Sequence, residues 1–171
     1  MRNSTLLIIP LFALALLATG TAAAQTPAAR GIGVGAEATM TGIVGGTFVY
    51  DAEVFHVDAL LGASFQRFDS SVAVAGRLFF PVHRTQSADF SVGPGIGLVH
   101  MTHDPDGDGP QGRVSTNPIH LEGAGQIRAF VTPNVALSAT LGLGIVMANN
   151  NNSALIGGQV GGSFGVTYFF F

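Results

Sequence analysis

From Val135 to Met147 the odd positions are apolar throughout (Val135, Leu137, Ala139, Leu141, Leu143, Ile145, Met147), against Ala136, Ser138, Thr140, Gly142 and Gly144 between them. Alternation with a period of two predicts a β-strand with one greasy face and one small or polar face. The pattern recurs in seven more segments. The first covers about Gly31 to Thr41, with Ile32, Val34, Ala36, Ala38 and Met40 opposing Gly33, Gly35, Glu37 and Thr39. Further strands are predicted over Gly46–Tyr50, Val54–Gln66, Val72–Val82, Asp89–Met101, Ile119–Val131 and from about Leu155 to the C-terminus.

The connections alternate in kind. Short turns fall at 51–53, 84–88 and 132–134, and more polar loops at about 42–45, 67–71, 102–118 and 148–154. Eight strands with both chain ends on one side require three turns there and four loops opposite, the layout of a membrane barrel with short periplasmic turns and longer outer loops. Tyr50, Phe55, Phe79, Phe80, Phe90, Phe130 and Tyr168 to Phe171 cluster toward the turn side, where they are expected to form an interfacial girdle. Only Phe65 and Phe68 lie at the opposite end. A soluble β-sandwich would bury the same apolar phase between two sheets and is the competing arrangement.

The start of the chain changes the setting. Arg2, an apolar stretch from Leu6 to Ala18 broken by Pro10, and Ala22-Ala23-Ala24 follow in the order of a secretory signal. Residues 1–24 are expected to be a cleaved signal peptide and residues 25–171 the barrel; a retained N-terminal anchor lacks the cationic stop-transfer flank. The stretch is too short to cross a hydrocarbon core of about 30 Å as a helix. Mean hydropathy is positive, at +0.46, yet no later segment offers a membrane helix. With no cysteine there are no disulfides, thiolate metal sites or acylated-cysteine anchor. The net charge is −3 and all seven basic residues are arginine without a basic cluster, so nucleic acid is not an expected partner.

The final segment, Gly165-Val166-Thr167-Tyr168-Phe169-Phe170-Phe171, alternates and then stops on phenylalanine. With the signal and the eight alternating segments, it makes the chain resemble the small eight-stranded outer-membrane barrels of the OmpA/OmpX kind over the whole region after the signal. The resemblance implies an all-β, antiparallel up-and-down transmembrane barrel in a bacterial outer membrane. It also implies a C-terminal assembly signal at Tyr168, Phe169, Phe170 and Phe171 that the barrel-assembly machinery reads. The surrounding partners would be outer-membrane lipid and lipopolysaccharide, around a monomer. Phe171 departs from the strongest apolar phase by one residue, which leaves the register of the last strand open.

The second phase of each strand collects the mid-strand polar groups Glu37, His56, Asp58, Arg77, His120, Glu122, Gln126, Arg128 and Gln159. Arginine on the lipid face at mid-depth costs about 2–4 kcal/mol, so these groups belong in the lumen. Eight strands enclose a space that side chains fill, so a packed polar plug is expected, with a gated ion path along it as the alternative. A hairpin at 67–70 sets Asp58 opposite Arg77, predicting an ion pair. Gly93, Gly95, Gly97, Gly142 and Gly144 share the inward phase, and Pro94 is expected to mark a bulge.

Two motifs carry little. Asp104, Asp106 and Asp108 are spaced like the start of a calcium loop, but Ser115 stands where its bidentate glutamate belongs, which leaves a weak metal candidate. Gly31-Ile32-Gly33-Val34-Gly35-Ala36 imitates a dinucleotide fingerprint without the following helix. No cofactor is implied. Barrels of this size include lipid-modifying enzymes, which need a serine and a histidine within reach on a lipid-facing surface. His56 and His120 face inward, and His83, His100 and His103 lie near strand ends without an evident serine partner, so catalysis is not expected. The expected role is envelope integrity or surface interaction, with a narrow pore as the alternative.

Overall fold

The computed structural model describes residues 31–66, 69–103, 114–150 and 153–170, with side chains left aside for 149–157. The signal-peptide reading of 1–24, Phe68, the three aspartates at 104, 106 and 108, and Phe171 lie outside the described residues. Among the described residues nine strands follow one another: β1 (Gly31–Thr39), β2 (Val44–Asp51), β3 (His56–Phe65), β4 (Asp69–Arg84), β5 (Ala88–His103), β6 (Val114–Thr116), β7 (Ile119–Thr132), β8 (Val135–Asn150) and β9 (Ser153–Phe170). All pairings are antiparallel. β9 returns to β1, from Ile32 opposite Phe170 to Thr39 opposite Ser163, and closes the ring. β6 only extends β5 at the loop rim, through Met101 opposite Thr116, so the barrel proper has eight strands. Closure leaves the eight-strand ring without an open edge, which a sheet surrounded by hydrocarbon requires.

The two faces are inverted relative to a soluble protein. Leu61, Leu141 and Leu143 are 63%, 62% and 71% exposed, while Glu37, Asp58, Gln126 and Arg128 are all nearly fully buried. Apolar side chains form the outer surface and charged ones the interior, which is stable only where the outer medium is apolar. One closed sheet replaces the two stacked layers of a sandwich.

Several boundaries differ from the sequence reading. Most of the loop expected at 148–154 is strand, because the β8–β9 ladder continues to Asn150 opposite Ser153. Backbone pairing does not depend on side-chain polarity, so asparagines do not end a strand that has risen past the apolar zone. For the same reason Asp69, Ser70 and Ser71 belong to β4, opposite Phe65 and Ser64 of β3, instead of to a loop. The loop expected at 102–118 includes the end of β5 and the short β6. Pro94 causes no bulge: the β4–β5 register is the same on both sides of it, and the shift falls between Pro81 and His83.

The aromatic girdle is also divided by strand parity. Tyr50, Phe80, Phe90, Tyr168 and Phe170 face outward, whereas Phe79 and Phe169 are fully buried in the lumen and Phe130 is half-buried against Phe169. Adjacent residues of a strand point to opposite faces, so a run such as Tyr168-Phe169-Phe170 cannot put all its rings on one side. Phe169 lies opposite Gly33 of β1, which fixes the last strand's register through Phe170.

Candidate functional site

The polar groups of the lumen are stacked in three levels. Nearest the turn rim, Arg128 on β7 faces its cross-strand neighbour Asp89 on β5. Its Nε donates to Oδ1 at 3.0 Å and its NH2 to Oδ2 at 2.6 Å, while NH2 also donates to Asp51 Oδ2 at 2.6 Å. Asp51 ends β2, and its Oδ1 accepts the backbone N–H of Glu53, whose φ of 73° makes the tight turn. Arg84 approaches the same carboxylate at 3.5 Å. The Arg128 guanidinium lies 5.5 Å from the centre of the Phe130 ring, and Val49, Ala136 and Phe169 pack together beside it. Two carboxylates, two guanidiniums and an apolar stopper thus occupy the turn-side end.

At the middle level Gln126 connects three strands. Its amide donates from Nε2 to Asp58 Oδ2 at 2.7 Å and to Thr140 Oγ1 at 3.2 Å, which orients its Oε1 toward His56 Nε2 at 2.8 Å. With Oε1 as acceptor, the network assigns the proton to Nε2 of His56. The imidazole is fully buried, 5.1 Å from the Phe79 ring.

Toward the loop rim Arg77 is held between two glutamates: NH1 donates to Glu37 Oε1 at 2.6 Å, and Nε to Glu122 Oε1 at 2.7 Å. The expected Arg77–Asp58 ion pair is therefore corrected. The two residues are opposite in register, but Arg77 reaches across the lumen to β1 and β7, while Asp58 is engaged by Gln126. A long side chain satisfied by two carboxylates has no reason to fold back on the neighbouring strand. Gly95 makes room for this arrangement, since a Cβ there would lie 2.8 Å from Glu122 Oε1 and 3.0 Å from Arg77 Cγ. Above the triad lies a cavity of about 270 Å³ that His120 and Gln159 help to line.

Of the nine lumen residues named from sequence, Glu37, His56, Asp58, Gln126 and Arg128 are buried and Arg77, His120, Glu122 and Gln159 half-buried; seven make polar contacts with one another or with Asp51, Asp89 and Thr140, and His120 and Gln159 line the cavity. Sequence reasoning missed Asp51, Asp89 and Thr140, and with them the partners of Arg128. Asp89 shares the parity of Ser91 and Gly93, so pairing the fifth segment with the sixth would have set it opposite Arg128. Elsewhere, His100 bonds Asn117 at 2.7 Å and His103 contacts Asp69, all on exposed positions at the loop end. Among the described residues no group of three His, Asp or Glu side chains is arranged to hold a metal.

A closed ring of eight antiparallel strands, apolar outside and ion-paired inside, is the fold of the small outer-membrane β-barrels. Solved structures agree. The chain is similar to Neisserial surface protein A, with a TM-score of 0.57 and 18% identity over 83% of this chain and 99% of that one. It is likewise similar to the N-terminal β-barrel domain of Pseudomonas aeruginosa OprF, with a TM-score of 0.53 and 13% identity over 82% of this chain and 98% of that one. No protein-family model and no curated protein matches the sequence.

Proposed function

We propose that this protein resides in the outer membrane of a Gram-negative bacterium as a sealed barrel, serving envelope integrity or contact at the cell surface. The observation that carries this reading is the turn-side plug, in which Arg128, Asp51 and Asp89 are buried together beside Phe169 and below His56 and Phe79. Side chains that fill the lumen and neutralise one another leave no continuous aqueous path. The outward apolar belt suits outer-membrane lipid and lipopolysaccharide as its surroundings, and Tyr168, Phe169 and Phe170 suit a strand handed over by the barrel-assembly machinery.

A narrow pore is the second reading, favoured by the cavity that reaches down to Arg77 and Glu122 from the loop rim. Planar-bilayer recording separates the two. The sealed barrel gives no steady conductance; a steady current altered by Arg77→Ala or Glu122→Gln replaces it with the pore.

A further inference from the structure

The floor of the loop-side cavity carries more acceptor than the plug uses. Glu122 Oε1 is taken by Arg77, but its Oε2 makes no hydrogen bond among the described residues. His120 Nε2 is buried and also without a partner there. Glu122 Oε2 and the carbon edge of the His120 ring face Gly161 on β9: a Cβ built on that glycine would lie 3.6 Å from Glu122 Oε2 and 3.9 Å from His120 Cε1. A ligand atom at that point touches the free carboxylate oxygen of Glu122 and the Cε1 edge of the His120 ring, whereas His120 Nε2 lies toward Gly144, 2.5 Å from where a Cβ there would stand. Glu37, Glu122 and Arg77 leave one negative charge uncompensated at this level, whereas the two arginines of the turn-side level match its two aspartates. The walls above are apolar and include Ile43, Leu60, Val99, Met101 and Val146.

We propose that this cavity binds small organic cations, protonated amines with a short apolar tail, seating the ammonium over Gly161 against Glu122 Oε2. An ammonium supplies three donors and no acceptor, which matches a carboxylate oxygen that lacks a donor. The tail replaces water along the apolar wall. At about 270 Å³ the space is smaller than the roughly 300 Å³ at which pockets for drug-sized molecules begin, so the ligand is small. The site requires only that the loop-side half of the lumen be accessible, and it is independent of whether the barrel conducts.

The test is an NMR titration of the refolded barrel in zwitterionic micelles with hexylammonium, hexanol and hexanoate. The amide of Gly161 reports the site, and the outward-facing Val160 beside it reports partition into the micelle. Hexylammonium is expected to shift Gly161 saturably and to bind roughly tenfold more tightly than hexanol, as one charge-assisted hydrogen bond implies. Gly161→Ala fills the seat at ordinary contact distances, so it is expected to keep the fold and weaken hexylammonium roughly tenfold. Glu122→Gln is expected to abolish the preference for the cation. Shifts confined to Val160, equal binding of hexanol or hexanoate, or unchanged binding in Gly161→Ala would each overturn the proposal. Because Glu122→Gln also frees Arg77, Gly161→Ala decides the matter if that variant does not refold.

Discussion

Arg128 and Arg84 reach the same aspartate from different environments. Arg128 is 3% exposed and bonds two carboxylates, whereas Arg84 is 25% exposed and makes one long contact. Removing the buried partner strands two charges, at a cost of about 3–5 kcal/mol. Removing the more exposed one is worth about 1 kcal/mol or less. Arg128→Ala is therefore expected to lower the urea midpoint of the refolded barrel far more than Arg84→Ala, and equal midpoints would contradict the plug. Parity alone made Arg128, Arg77 and Asp58 legible as inward residues, though not Asp51 or Asp89. Partner choice was not legible, because Arg77 spans the lumen instead of meeting Asp58, and side-chain reach across a closed ring has no local signature.

Strand seams depend on positions where backbones crowd. A Cβ on Gly35 would come 2.0 Å from the carbonyl oxygen of Val166, on the seam where β1 meets β9, while one on Gly158 meets nothing within 4 Å. Main chain cannot give way as a flexible side chain does. Gly35→Ala is expected to impair closure, seen as loss of the compact, unheated band in electrophoresis of folded barrels, and Gly158→Ala to leave that band intact. Period-two alternation located all eight ring strands to within a few residues, since each must keep one face apolar. It failed at the tips, around 69–71, 148–150 and 153–154, where the ladder outlasts the lipid zone and side-chain polarity no longer marks the strand's end. β6, three residues long, is too short to carry a period.

The whole molecule is an inside-out object, and its stability belongs to its solvent as much as to its contacts. Leu141→Arg puts a charge on the outer face and is expected to cost about 2–4 kcal/mol in a bilayer, read as a loss of folding free energy in lipid vesicles. Lipid-borne nitroxide should broaden the NMR signals of Leu141 and Leu143 and spare those of Gln126; the reverse would invert the faces. The sequence alone determined the number of ring strands, the two-faced pattern and the inward phase of the mid-strand polar residues, because each follows from a period of two beside hydrocarbon. Only the tertiary structure decided that Phe79 and Phe169 are plugs and not girdle, that Arg128 pairs with Asp51 and Asp89, and that the loop-side half of the lumen stays open. Those outcomes depend on how strands from distant parts of the chain are set opposite one another when the ring closes, and on which long side chains then meet across it.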